Sequence, residues 1–205
     1  MKQFSVLLAA LLLAACVTPV PKLTLQQREQ NWQEHSARLA AVRSWSLKGR
    51  VAAHADGRGW QAGIRWKKLP DEQEVTLTGP FGGGVILLTE NPSGFILRDN
   101  RGDEYFNHDA EQLLQQVTGW RLPVNGLSYW VRGAAMPDTP VTVELDDEGR
   151  AKKLVQQGWY ISYLKYESYN GLPLPGRMLL EHSSENSQSE KLEIRLVLNS
   201  WKISQ

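Results

Sequence analysis

The chain has 205 residues, 23 Lys plus Arg against 22 Asp plus Glu, a formal net charge of +1 and one cysteine. That length fits one domain with a core of its own. The balanced charge excludes the basic excess of a nucleic-acid binder, and a lone cysteine excludes an internal disulfide. Eight tryptophans point to a large aromatic core or to an aromatic-lined cavity.

Lys2 precedes an apolar run over residues 4–12, and small residues follow it. This is the layout of a secretory signal peptide. The run is too short to span a bilayer, which takes ~20 apolar residues. Leu13-Ala14-Ala15-Cys16 resembles the lipobox of bacterial lipoproteins. The resemblance implies an S-diacylglycerol on the Cys16 thiol, cleavage before Cys16 and N-acylation of the new amine. Residues 1–15 would be the cleaved signal peptide, 16–23 the lipidated N-terminus and tether, and 24–205 one domain. An unmodified thiol in an ordinary signal peptide is the plainer alternative. Val17 follows Cys16, where lipoproteins kept in the inner membrane often carry Asp. That resemblance places the anchor in the outer membrane.

A helix is expected from Thr24, with Gln27 completing a capping box, to about Arg43. Leu25, Trp32, Leu39 and Val42 would share one side of it. From Trp45 the period changes to two. Trp45, Leu47, Gly49, Val51 and Ala53 alternate with more polar neighbours, then Trp60, Ala62, Ile64 and Trp66 do so across an Asp56-Gly57 turn. Further strands are expected over residues 74–78, 85–89, 94–99 and 104–106. Asp109 caps a helix bearing Ala110, Leu113, Leu114 and Val117, and Gly119 ends it. A second short helix follows over residues 125–132, with Leu127, Trp130 and Val131 on one face. Strands resume over residues 141–145, 151–156, 159–167, 176–181 and 192–199, with Asn170-Gly171 turning one hairpin and a polar loop over residues 183–189. About eleven short strands predict a curved, mainly antiparallel sheet or barrel, with an N-terminal helix and a helical insert.

Residues for catalysis are sparse. His35, His54, His108 and His182 fall in no metal-ligand spacing, and no Gly-x-Ser-x-Gly elbow is present. A hydrolase would need a polar cluster that the sequence does not assemble. Gly79-Pro80-Phe81-Gly82-Gly83-Gly84 lies between two strands and strips a hairpin loop of every large side chain but Phe81. That ring either folds back on the sheet or dips into a membrane, where its burial yields ~1.5–3 kcal/mol. The inward tryptophans likewise either fill a core or line a cavity for an apolar ligand.

Several segments together resemble the LolB family of outer-membrane lipoproteins. They are the lipobox, the Gly79-Pro80-Phe81-Gly82 loop where the family often has Leu, the run from Leu113 through Arg121-Leu122-Pro123 to Leu127-Ser128-Tyr129-Trp130-Val131-Arg132-Gly133, and Leu196-Val197-Leu198-Asn199-Ser200-Trp201. The resemblance implies an unclosed antiparallel barrel whose helical insert forms a lid over an apolar cavity. It implies an acceptor of lipoprotein cargo from a soluble LolA-like carrier, working at the periplasmic face of the outer membrane. It implies membrane insertion by Phe81 with Pro80 and Gly82. Trp45, Leu47, Trp60, Ile64, Trp66, Leu77, Leu113, Trp130 and Leu196 become candidate cavity residues. A monomer with no enzyme activity and no cofactor beyond the Cys16 acyl groups is expected. Partners are cargo acyl chains, the carrier and outer-membrane lipid, with no nucleic acid. The alternative is an envelope lipoprotein with a solid core that serves as a protein–protein interaction module.

Overall fold

A computed structural model describes residues 22–55, 57–120, 122–183 and 191–204. The signal peptide, Cys16, most of the tether, Asp56, Arg121 and the polar loop over 184–190 lie outside the described residues.

Helix α1 spans Leu25–Ala41 and begins at the expected capping box. The Gln27 N–H donates to Thr24 Oγ1 at 3.2 Å, and the Thr24 N–H donates back to Gln27 Oε1 at 2.9 Å. Six strands follow: β1 (Ser44–Ala55), β2 (Arg58–Lys68), β3 (Gln73–Thr78), β4 (Val85–Asn91), β5 (Gly94–Arg98) and β6 (Glu104–Asn107). Then come α2 (Ala110–Thr118) and α3 (Val124–Trp130). The chain finishes with β7 (Thr142–Leu145), β8 (Ala151–Gln156), β9 (Trp159–Tyr169), β10 (Leu172–Ser183) and β11 (Lys191–Ser204).

All eleven strands form one antiparallel sheet in the order β6-β5-β4-β3-β2-β1-β11-β10-β9-β8-β7. The first six make a meander, the last five make another, and the long β1–β11 ladder joins them from Ser44↔Ser204 to His54↔Glu193. Strands β6 and β7 are the two edges, so the sheet curves without closing. The helical insert is the connection between those edges. Side chains alternate across the pleat, which sends Leu47, Val51, Ile64, Trp66, Ile194, Leu196 and Leu198 to one buried face. Gly49 sits where the β1–β11 register shifts. A Cβ there would lie 2.2 Å from the Val197 carbonyl oxygen, so the bulge needs a glycine.

Two expectations are corrected. Leu25 is 78 % exposed and does not join Leu39 in the core: it sits in the first turn of α1, on the open groove between that helix and β7. Strand β10 starts at Leu172, not Gly176, and so contains Pro173 and Pro175. Only β9 pairs with that stretch, since pairing to β11 begins at Arg177. Proline is tolerated where one flank of a strand has no partner.

Candidate functional site

The inward faces of β1–β4 and β11 meet the insert around an apolar cavity of about 50 Å³. The sheet contributes Leu47, Val51, Trp60, Ile64, Trp66, Val75, Leu77, Ile86, Leu88, Ile194, Leu196 and Leu198. The insert contributes Leu114, Leu122, Val124, Leu127 and Val131. Every lining side chain is apolar. The space admits only a few water-sized groups, so the insert sits close against the sheet.

A wider recess of about 340 Å³ adjoins the cavity at the end where β3 turns into β4. Trp60, Leu77, Ile86, Leu114 and Leu122 line both spaces. Gln61, Asn100, Thr118, Trp120 and the backbone of Gly79, Gly83 and Gly84 complete the recess. Trp60 and Trp120 stand edge to face across it, with ring centroids 6.3 Å apart.

The loop at this mouth is held tightly. The Gly79 N–H donates to the Gly84 carbonyl at 2.9 Å, and the Gly83 N–H donates to the Pro80 carbonyl at 2.9 Å. A Cβ on Gly79 would lie 2.8 Å from the Gly83 carbonyl oxygen, so a closure this tight needs glycine there. Phe81 takes φ 55° and ψ 26°, the left-handed region, which costs a residue with a Cβ ~1–2 kcal/mol. Its ring is fully exposed, and the neighbouring Val85 is exposed too. Phe81 therefore does not fold back on the sheet. Strained residues of this kind cluster at functional positions.

Leu47, Trp60, Ile64, Trp66, Leu77 and Leu196 line the cavity. Trp45, Leu113 and Trp130 do not. Trp45 is wedged between Trp66 and Trp201, at 5.3 and 5.6 Å between ring centroids. Leu113 and Trp130 are fully buried in packed core. Period-two alternation tells inside from outside, but not a solid layer from the wall of a void. Trp120, at the mouth, was missed because it follows the helix-ending Gly119, where no periodicity applies. Val75, Ile86 and Leu88 were missed as cavity walls although they alternate in their strands as Leu77 does.

The far end of the insert is pinned by polar bonds. Trp130 Nε1 donates to Gln156 Oε1 at 2.9 Å, as does the Met136 N–H at 2.9 Å. Gln156 Nε2 donates to the Met136 and Thr139 carbonyls at 3.0 and 3.2 Å. Arg132 donates to the Leu39, Val42 and Ser128 carbonyls, tying the insert to the end of α1. Burial pulls the pKa of Arg132 below the usual arginine value, and these three carbonyls offset the desolvation. Among the described residues no group of three His, Cys, Asp or Glu side chains is placed to hold a metal.

Residues 43–201 match the family model described as outer membrane lipoprotein LolB. This chain belongs to the LolB family. A Nitrosococcus oceani protein named outer-membrane lipoprotein LolB is 35 % identical to it over 97 % of this chain and 96 % of its own. A Pseudomonas putida protein of the same name is 33 % identical over 93 % and 90 % of the two chains. Like the LolB relatives it matches, the chain is a lipid-anchored outer-membrane protein of lipoprotein localisation, facing the periplasm. In solved structures the fold resembles a DUF1329 family protein from Desulfovibrio piger, with TM-score 0.53 at 5 % identity over 88 % of this chain and 93 % of that one.

Proposed function

We propose that this LolB-family chain takes the acyl chains of lipoproteins from a soluble LolA-like carrier into its apolar cavity and delivers them to the outer membrane, with Phe81 as the element that enters the bilayer surface. The observation that carries the reading is the adjacency of three features: an all-apolar cavity, a wider recess that shares five of its walls, and an exposed, strained phenylalanine in the loop whose glycines line that recess. Exposed acyl chains cost ~0.8 kcal/mol per methylene in water, which supplies the drive to enter. Non-directional contacts let them leave again without breaking hydrogen bonds.

The cavity must widen to admit a chain. The insert is held at its far end by Gln156 and Arg132, whereas at the mouth the Trp60–Trp120 contact faces it. An aromatic pair contributes only ~0.5–1.5 kcal/mol beyond its buried area. Opening therefore starts at the mouth, next to Phe81. No cofactor enters the scheme, and the direction of transfer follows relative affinity for the acyl chains.

The test uses the mature chain, from residue 16 with Cys16→Ala, mixed with a carrier loaded with lipoprotein. Net transfer of cargo to this protein supports the reading. If the cargo stays on a carrier that unloads to its own acceptor, and a fluorescent fatty acid fails to bind the cavity, the reading falls.

A further inference from the structure

The outer face of the central strands carries a concentration of positive charge that the near-neutral composition conceals. Lys48 and Arg50 on β1, Arg65 and Lys67 on β2, Arg177 on β10 and Lys202 on β11 are all exposed. The registers place them together. Lys48 stands opposite Arg65, Ser46 lies between Lys67 and Lys202, and Val197 lies between Arg50 and Arg177.

Other surface cations have acidic partners, as Lys152 and Lys153 have in Glu144, and further along the same face of β11 Arg195 has in Glu193. Among the described residues none of these six makes an ion pair or a side-chain hydrogen bond. Glu74, across from Lys67 on β3, is in register but makes no ion pair with it. Like charges directly opposite across a sheet destabilise it, so the Lys48–Arg65 pair costs stability in the free protein.

We propose that this face binds the anionic phosphate headgroups of a membrane and turns the barrel toward the bilayer. Three observations favour lipid over a protein partner. The β1 and β2 cations surround Ser46, Gly63 and Ser200, and the exposed large aliphatic side chain nearest the six is Leu164, on β9 beside Arg177 at the margin of the patch; protein interfaces are anchored on central aromatic and aliphatic side chains and are depleted in lysine. The eight residues from Cys16 to Leu23 reach at most about 28 Å when extended, so the lipid anchor keeps the domain close to headgroups. The Phe81 loop follows Thr78, which pairs with Gly63, two residues from Arg65 on the same strand. The strained tip thus borders the basic face, and a tilted barrel can set both against one plane. The proposal rests on the membrane location of the family and not on the acyl cavity.

The test is binding of the mature chain, from residue 16 with Cys16→Ala, to vesicles without cargo or carrier, with uptake of cargo from a loaded carrier measured separately on the same variants. Vesicles of phosphatidylcholine alone are compared with vesicles containing about one third phosphatidylglycerol. Binding to the anionic vesicles should be at least a hundredfold tighter and should collapse at 1 M salt, where the Debye length is about 3 Å. Each neutralised cation should weaken it about fivefold, so Lys48→Gln/Arg65→Gln/Lys67→Gln loses about a hundredfold. Arg177→Gln/Lys202→Gln is the independent variant should the triple change fail to fold, and it should lose about twenty-fivefold. Lys152→Gln/Lys153→Gln, on the paired β8 strand, should bind as the parent does. Equal binding to both vesicle types overturns the proposal. So does parent-like binding by the β1–β2 triple variant, and so does a variant that keeps vesicle binding but accepts cargo slowly from the carrier, because an acidic protein face would then be the partner.

Discussion

Replacing Phe81 with glycine should raise stability and impair function together. The ring is 109 % exposed, so no packing is lost on removing it. The left-handed φ of 55° costs a residue with a Cβ ~1–2 kcal/mol. Glycine gives back ~0.5–1 kcal/mol through the greater freedom of its unfolded chain. The net gain is about 0.5–1 kcal/mol, or roughly 1–4 °C in Tm for a domain of this size. The same change deletes the apolar group proposed to enter the bilayer, whose burial yields ~1.5–3 kcal/mol. Membrane delivery should then slow by one to two orders of magnitude while uptake from the carrier stays normal. Calorimetry reads the first effect, and a vesicle insertion assay with pre-loaded protein reads the second. A fall in Tm of more than ~2 °C would mean that the ring packs in solution, which would refute the argument from exposure and strain. Unchanged insertion would remove Phe81 from the delivery step.

Gln156→Leu should cost about 2–4 kcal/mol, read as a lower urea midpoint at unchanged slope. It leaves the buried Trp130 indole N–H and the Met136 N–H without their shared acceptor. His35 is buried on α1 with Nε2 unpartnered. Burial first, then the charges of Arg38 and Arg150, lower its pKa from 6.5 to about 4, against an opposing effect from Asp146. A depressed folded-state value means the imidazole is neutral when folded, so its contribution is complete above pH 6.5 and is lost as pH falls toward about 4. Between pH 7 and 4.5 the parent should lose about 2–3 kcal/mol more stability than His35→Gln, and parallel pH profiles from urea titrations would refute this.

Much of the architecture was legible because the signals are local. Thr24 and Gln27 announce a capping box by spacing alone, and Asp109 and Gly119 bracket α2 in the same way. Eleven strands follow from alternation and turn residues that each act within a few positions. The prolines of β10 misled, because their tolerance depends on where β11 stops pairing, a fact fixed more than twenty residues away. The β1 and β2 cations each look like ordinary solvated positions; only the register shows that Lys48 and Arg65 are neighbours.

By itself the sequence determined which side chains face inward, where the chain turns, and that one loop carries a single large apolar group among glycines. Those properties come from backbone preference and pleat alternation, which operate between neighbours. Only the tertiary structure decided that Phe81 stands clear of the sheet, and that Trp45 and Trp130 pack solid while Trp60 and Trp66 line a cavity. A void is set by how the volumes of distant residues fill a common space. Leu47, Leu127 and Leu196 bound the same cavity from three separate elements, and no local pattern in the chain records whether they meet.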